Sequence, residues 1–230
     1  MPIDLTMNRR DFCRTAATTA LVTAAFGSSF LSLMPVPAIA ETVPMTELMA
    51  PQPLPDMVLG SKSAPVIVVE YASMTCPHCA HFDETAYPKI KKNYIDTGKV
   101  RWILREFPLD PLAAAAFMLA RCAADGSPPK YYDMVNTLFH QQDTWAIEKP
   151  IPPLLSIAKQ AGMTETKFKA CLSDQKMLDK IQAERQEAIN KFKVNATPTF
   201  YIDGIKHEGA LEYDQFAKIL DAQLKGNKGK

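Results

Sequence analysis

In Cys76-Pro77-His78-Cys79, two cysteines are separated by two residues. Pro77 suits the first turn of a helix, where its missing N–H removes no hydrogen bond. At the start of a helix, unpaired N–H groups and the helix dipole favour a thiolate on the first cysteine, and the thiolate is the form that attacks a disulfide. The motif therefore points to thiol–disulfide exchange, with metal binding as the competing use of two closely spaced cysteines.

Strands are predicted on both sides of this helix. Residues 65–71 are almost all apolar and mostly β-branched, which is typical of a strand buried on both faces. We expect the helix to run to about Asn93 with a bend near Pro88, and residues 100–105 to form the next strand. Strand, helix and strand within about 40 residues predict a parallel, right-handed βαβ unit. Residues 57–59 are a further short strand candidate.

A helical block and a hairpin follow the βαβ unit. Residues 111–120 are rich in alanine and other strong helix formers, and later apolar positions keep helical spacing as far as Phe192. Asp203-Gly204 then separates two short runs of strand composition, which is a strong hairpin signal. Apolar positions between Phe216 and Leu224 predict a last helix.

The first 40 residues have the features of an export signal. Arg9-Arg10 precedes the apolar run 16–34, and Ala38-Ile39-Ala40 matches an A-x-A cleavage site. The arginine pair predicts export by the Tat route, cleavage after Ala40 and a periplasmic location; an ordinary secretory leader and an uncleaved anchor are the alternatives. Residues 41–55, rich in proline and small polar residues, are expected to form a linker or loosely attached arm.

Removal of the leader changes the cysteine count. Of the five cysteines, Cys13 leaves with the leader and four remain. An even number of cysteines in an exported chain indicates pairing, so if Cys76 pairs with Cys79, the remaining pair is Cys122–Cys171. We expect this second pair to be a structural disulfide that joins two helices of the helical block. The alternative is that Cys122 and Cys171 are two separately buried free thiols.

The composition and net charge are those of an ordinary globular protein. The 230 residues are 47% hydrophobic and carry a formal net charge of +1. These values are typical of a globular chain with one sizeable core, and without a basic surplus they predict no nucleic-acid partner.

The combined motifs resemble the DsbA family of bacterial periplasmic thiol oxidases, from about Met57 to Leu224. The resemblance is carried by Cys76-Pro77-His78-Cys79, by Glu70 at the end of the preceding strand and by Thr197-Pro198 in the late run T-P-T-F-Y-I-D-G. It implies an α/β protein with the thioredoxin fold and an inserted helical subdomain. The thioredoxin-like domain would then comprise residues 56–109 and 176–226, and the insertion residues 110–175.

The resemblance also implies roles for the residues of the motif. Cys76 is expected to be the exposed nucleophile that forms a mixed disulfide with a substrate, and Cys79 the buried cysteine that is released or resolves it. His78 would add a hydrogen-bond donor or a positive charge near the thiolate. Glu70, partly buried beneath the helix with a raised pKa, would exchange a proton with Cys79; a solvated carboxylate at the strand end is the alternative.

Pro77, Thr197 and Pro198 are expected to contact the substrate, with a cis peptide bond before Pro198. Thr197 stands where the best-known oxidases of the family have valine, and threonine also occurs there in isomerases and reductases. Asp83 lies farther along the same helix as the two cysteines. It is expected only to support the charge pattern of that helix.

The resemblance implies a monomeric enzyme that donates the Cys76–Cys79 disulfide to reduced exported proteins. A DsbB-like membrane protein would reoxidise it, and no cofactor or metal is expected. Three alternatives remain open: an isomerase or reductase of the same fold, a non-catalytic protein that holds substrates, and a metal-binding module. The last would use Cys76, His78, Cys79 and His81, although this spacing suits a tetrahedral site poorly.

Overall fold

The computed structural model of the protein describes residues 41–227. The predicted export signal, with Cys13 and the cleavage site after Ala40, lies outside the described residues. The strands are Met57–Leu59 (β1), Val66–Ala72 (β2), Val100–Glu106 (β3), Thr199–Ile202 (β4) and Ile205–Glu208 (β5). The helices are Met45–Leu48 (α1), Pro77–Thr85 (α2), Tyr87–Ile90 (α3), Pro111–Ala124 (α4), Pro128–His140 (α5), Gln142–Trp145 (α6), Ile151–Gln160 (α7), Glu165–Leu172 (α8), Gln175–Asn190 (α9) and Tyr213–Asn227 (α10), and a π-helical turn at Lys91–Ile95 follows α3.

The five strands form one mixed sheet in the order β1-β3-β2-β4-β5. β2 pairs in parallel with β3, with Val68 opposite Trp102, whereas the other three pairs are antiparallel. The predicted parallel βαβ unit is therefore confirmed. The two central strands are buried along nearly their whole length, as their continuous apolar sequences require.

Apolar side chains pack on both faces of this sheet. On one face, the Phe82 ring of α2 lies 4.7 Å from Phe200 and 6.2 Å from Trp102, measured between ring centroids, and Phe216 of α10 completes the cluster. On the other face, alternate residues of the same strands form a second cluster with Phe192. Because Phe82 anchors α2 to the sheet, the N-terminus of α2 has a fixed position at the end of β2.

The Asp203-Gly204 turn joins β4 and β5 as predicted. Both residues have positive φ, 48° and 84°, as a two-residue type I′ hairpin requires. The side chain of Asp203 also accepts a hydrogen bond of 2.9 Å from the N–H of Ile67, so that the turn is tied to β2.

Helices α4–α8 lie in sequence between β3 and α9 and form the inserted helical subdomain, which confirms the predicted fold class. α4 begins at Asp110, whose side chain caps the N–H of Ala113 at 2.8 Å. A disulfide joins Cys122 in α4 to Cys171 in α8. None of the helices within residues 41–227 combines the length and the apolar composition that a membrane crossing needs.

Residues 41–55 do not form the loose arm that their composition led us to expect. The N–H of Val43 donates a 2.8 Å hydrogen bond to the carbonyl of Gly204 in the hairpin, and Leu48 of α1 is fully buried. A Cβ atom on Gly204 would lie 2.3 Å from the Val43 carbonyl oxygen. The prediction was wrong because scattered apolar residues in a proline-rich segment gave no sign of the surface on which they pack.

Candidate active site

The Cys76-Pro77-His78-Cys79 motif lies at the N-terminus of α2, at the end of the central strand β2. Cys76 is the N-cap with an extended backbone, and Pro77 occupies the first turn as predicted. The carbonyl of Cys76 accepts the N–H of Ala80 at 3.2 Å, which begins the helix. Cys76 and Cys79 are free thiols in this structure.

Cys76 is less accessible than we expected. Only 5% of its surface is exposed, and its Sγ lies 3.3 Å from the carbonyl oxygen of Thr197. The peptide bond between Thr197 and Pro198 is cis. The expectation of an exposed nucleophile was therefore wrong for this state of the protein, because the Thr197 segment, distant in sequence, packs over the sulfur. Pro77 is exposed beside it.

The two thiols of the motif have very different acidities. The pKa of Cys76 is lowered to about 5, chiefly by a hydrogen bond from the Cys79 thiol and also by the backbone N–H groups of Cys79 and His78. Burial raises the pKa of Cys79 well above its usual value, and the Cys76 thiolate raises it further. Cys76 is therefore a thiolate at neutral pH, whereas Cys79 keeps its proton.

His78 contributes to the thiolate through its backbone. Its N–H is one of the groups that lower the pKa of Cys76, while its side chain is exposed on the first turn of α2.

Glu70 lies beneath the motif near the end of β2, with 4% of its surface exposed. Burial and the nearby charge of Asp83 raise the pKa of Glu70 to about 8. When Glu70 is ionised, its charge raises the pKa of Cys79. Glu70 is thus a protonated carboxylic acid at neutral pH, electrostatically coupled to the buried thiol.

Asp83, which we expected only to support the charge pattern of α2, is buried. It is 7% exposed on α2, and burial raises its pKa to about 7. Its Oδ2 lies 3.6 Å from Nδ1 of His140 in the insertion. This burial arises because α5 packs across this side of α2, which the sequence of α2 alone does not indicate.

Two further residues of the insertion reach the motif, and the sequence analysis named neither. Asp110 Oδ2 accepts a 2.6 Å hydrogen bond from the hydroxyl of Thr75, directly before Cys76. Gln142 donates to the carbonyls of Met74 and Cys76. Asp110 had a recognisable signal as a helix cap before Pro111, but nothing local indicated that its second oxygen would bind Thr75.

The sequence and the fold are similar to those of known proteins. The family model for thioredoxin matches residues 53–222. A Rickettsia felis relative named “Putative protein-disulfide oxidoreductase” is 36% identical over 176 residues, 76% of this chain. The crystal structure of alpha-DsbA1 from Wolbachia pipientis superposes with a TM-score of 0.73 and 35% identity, covering 79% of this chain and 96% of that one. The chain belongs to the DsbA-like proteins of the thioredoxin family.

Other DsbA-like relatives extend this assignment. Disulfide bond formation protein D of Bacillus subtilis is 31% identical over 74% of this chain and 77% of its own length. The oxidised BdbD structure from Bacillus subtilis has a TM-score of 0.65 at 26% identity, covering 74% of this chain and 93% of that one. The chain spans about three fifths of the length of the Rickettsia felis relative, 62%.

The residues of the alternative metal site are not gathered as a ligand set. Both cysteines are buried in this DsbA-like site, whereas His78 is exposed and His81 lies 3.7 Å from Glu212 on the surface. Across the described part of the chain, no group of three or more His, Cys, Asp or Glu side chains is arranged to hold a metal ion.

Proposed function

We propose that the protein is a thiol:disulfide oxidoreductase that donates the Cys76–Cys79 disulfide to reduced exported proteins. The single observation that carries this proposal is the contrast in acidity within the motif, where the pKa of Cys76 is lowered to about 5 and that of Cys79 is raised. A stabilised thiolate favours the reduced protein over its disulfide. The disulfide is therefore passed on readily to other thiols.

The exchange proceeds in two steps that conserve atoms and electrons. A substrate thiolate attacks the Sγ of Cys76, which forms a mixed disulfide, breaks the Cys76–Cys79 bond and releases Cys79 as a thiolate. A second substrate thiolate then attacks the substrate sulfur of the mixed disulfide and releases Cys76 as a thiolate. The substrate loses two electrons and gains a disulfide, and the protein gains the two electrons as a pair of reduced cysteines.

Glu70 supplies the proton that the first step needs. The thiolate released from Cys79 is buried and strongly basic, and Glu70, with a pKa of about 8, holds a proton at neutral pH. Transfer of this proton from Glu70 to Cys79 is favourable because the thiol has the higher pKa. It makes the reverse attack of Cys79 on the mixed disulfide slower.

The substrate binds next to Cys76, against Pro77, Thr197 and Pro198. Pro77 is exposed beside the sulfur, and the Thr197 carbonyl lies 3.3 Å from it, which puts main-chain groups within reach of a chain joined to Cys76. We infer that these residues pair with an extended, unfolded polypeptide. The twin-arginine leader supports a periplasmic location and export by the Tat route, and a membrane protein similar to DsbB would restore the disulfide.

A single-turnover reaction tests the proposal. The oxidised protein is mixed with an equimolar reduced peptide that carries two cysteines, and both products are identified by mass after acid quenching. We expect one intramolecular peptide disulfide for each protein that becomes reduced. If the peptide stays reduced while the protein keeps its disulfide, the proposed donor function is wrong.

The threonine at position 197 favours a second candidate, a reductase or isomerase of the same fold. The two candidates differ in the equilibrium between the Cys76–Cys79 pair and glutathione. A donor becomes reduced in buffers that still contain mainly oxidised glutathione, whereas a reductase stays oxidised there. Quantifying the reduced fraction by thiol alkylation over a series of glutathione buffers decides between them.

A further inference from the structure

Gln142 is a buried polar residue that the chemistry described above does not use. It begins the short helix α6, within the run His140-Gln141-Gln142-Asp143-Thr144, which has the composition of a surface loop. Its neighbours Asp143 and Thr144 are exposed, yet Gln142 is only 9% exposed. A buried amide in such a run calls for a partner elsewhere in the fold.

The partners of Gln142 are the main-chain carbonyls on either side of Thr75. Its Nε2 donates a 2.7 Å hydrogen bond to the carbonyl of Met74 and a 3.2 Å hydrogen bond to the carbonyl of Cys76. The second carbonyl is also the first acceptor of α2, since Ala80 donates its N–H to it. One side chain of the insertion therefore holds both ends of the peptide segment that carries the nucleophile.

Gln142 itself is held by a rigid support. The indole of Trp145, one turn later, is fully buried and donates a 2.7 Å hydrogen bond to the carbonyl of Leu138 in α5. The N–H of Ala146 donates to the carbonyl of Gln142 at 2.8 Å and closes the turn. The backbone from which Gln142 projects is therefore fixed by the fold, so only the side-chain rotamers must be ordered when the amide binds its two carbonyls.

The two hydrogen bonds act on the electrostatics of the thiolate. The carbonyl oxygens of Met74 and Cys76 carry partial negative charge close to Cys76, and in a buried site such charge disfavours a thiolate. An N–H group that donates to each oxygen offsets that charge. The hydrogen bond from Gln142 to the Cys76 carbonyl also fixes the first turn of α2, whose N–H groups face the sulfur.

We propose that Gln142 is a positioning residue through which the helical insertion sets the readiness of the Cys76–Cys79 pair to exchange electrons with substrate thiols. The inference rests on the proposed function, because it concerns the same pair. It goes beyond that function by assigning part of the redox tuning to the insertion, which also accepts a hydrogen bond from Thr75 through Asp110.

Three variants separate the hydrogen bonds from packing. Gln142→Leu keeps a side chain of similar volume but has no donor. Gln142→Glu keeps the shape and replaces the donor by a carboxyl group that opposes both carbonyls. Gln141→Leu is the matched control, because the neighbouring Gln141 is of the same residue type and only half-buried, and forms no side-chain hydrogen bond to the motif within residues 41–227.

The measurements are the thiolate absorbance at about 240 nm against pH, the glutathione equilibrium of the pair and the thermal unfolding temperature. We expect Gln142→Leu to raise the midpoint of thiolate formation by roughly half to one pH unit and to lower the equilibrium constant for reduction by glutathione roughly three- to tenfold. Gln142→Glu should shift both at least as far, and Gln141→Leu should leave both unchanged.

A purely structural role makes a different prediction. Packing alone would lower the unfolding temperature of the Leu variant while the thiolate midpoint stayed at the wild-type value, and the Glu variant would resemble the wild type. Either result overturns the inference. A wild-type midpoint at the ordinary pKa of a thiol would instead refute the proposed function itself, so the two failures are distinguishable.

Discussion

The two pairs of cysteines lie at opposite ends of their helices. Cys76 is the N-cap of α2, and Cys79 lies in its first turn. Cys122 lies in the last turn of α4, Cys171 lies in the last turn of α8, and the Sγ of Cys171 lies 3.1 Å from the carbonyl oxygen of Met118. The backbone N–H groups of Cys79 and His78 face the sulfur of Cys76, which also lies 3.3 Å from the Thr197 carbonyl oxygen. The sulfurs of the second pair lie at helix ends where the unpaired groups are carbonyls.

This difference supports the proposed division between a reactive pair and a structural one. The N-terminus of a helix stabilises negative charge and the C-terminus opposes it, so a thiolate is favoured at Cys76 and disfavoured at Cys122 and Cys171. Reduction of a disulfide releases thiolates, and the second disulfide is therefore the harder of the two to reduce. The proposed division therefore rests on the position of each cysteine along its helix, because that position sets how readily its disulfide is reduced.

The largest expected effect follows from removing one pair at a time. Cys76→Ser removes the attacked sulfur, so disulfide transfer to a two-cysteine peptide should fall at least about a thousandfold. The double variant Cys122→Ser, Cys171→Ser should keep transfer within a few-fold of wild type, measured in the same single-turnover reaction. Equal losses in the two variants would contradict the division between a reactive and a structural pair.

Stability should show the reverse order. The Cys122–Cys171 bond joins residues 49 apart in sequence, and on the chain-entropy account its loss lowers the free energy of unfolding by roughly 4 kcal/mol. Urea unfolding of the double serine variant measures this loss. The Cys76→Ser, Cys79→Ser variant is the control, measured at pH 5, where the Cys76 thiolate adds little stability. It should unfold there within about 1 kcal/mol of the wild type whose Cys76–Cys79 pair alone is reduced.

The acidity of Cys76 predicts a distinct pH profile. Its rate of alkylation by iodoacetamide should follow a titration with its midpoint near pH 5, because folding lowers the pKa of this thiol from 9.0 to about 5. The thiolate's contribution to the stability of the reduced protein is accordingly complete above pH 9 and is lost as the pH falls through about 5. A midpoint near pH 9 would remove the distinction between the two pairs.

The smallest predicted effect concerns Glu70, the buried carboxylic acid next to the first pair. Glu70→Gln should slow disulfide transfer roughly tenfold, less than the usual contribution of a positioned acid, because the glutamine amide can still donate to Cys79. Stopped-flow kinetics measure the rate, with Glu84→Gln, an exposed carboxylate on the same helix, as the matched control.

The same variant alters the pH dependence of stability. Folding raises the pKa of Glu70 from 4.5 to about 8, so the folded protein holds more protons than the unfolded chain within this range. The Glu70 contribution is therefore most favourable below pH 4.5 and is lost as the pH rises through about 8. Glu70→Gln should flatten this part of the curve in urea titrations, whereas an unchanged slope would show that Glu70 is an ordinary carboxylate.

Local signals in the sequence predicted most of the fold. The β-branched run of β2, the proline after Cys76 and the Asp203-Gly204 turn each have a preferred conformation that does not depend on the rest of the chain. The observed elements follow these signals closely. The bend expected near Pro88 coincides with the short helix α3 and the π-helical turn after it.

The details of the site could not be predicted in this way. Thr197 packs over Cys76 from a distance of 121 residues in sequence, and Gln142 binds the Cys76 carbonyl across 66 residues. Asp83 is buried only because the insertion covers its side of α2. Each of these contacts depends on how the helices and strands pack against one another. The local sequence around a glutamine or an aspartate does not show whether its side chain will be exposed to solvent or bound to a buried partner.

The segment that precedes β1 also protects the exposed edge of the sheet. β5 is one of the two edge strands, and an unpaired edge strand is a template for adding strands from other molecules and hence for aggregation. Here Thr42 bridges to Ile205, the N–H of Lys206 donates to the carbonyl of Glu41, and Lys206 pairs with Glu41 and Glu208. A chain cleaved at the predicted site after Ala40 would keep the residues that pair with β5. Proteolysis after Thr42 would remove them and leave the edge of β5 open to pairing with strands of other molecules.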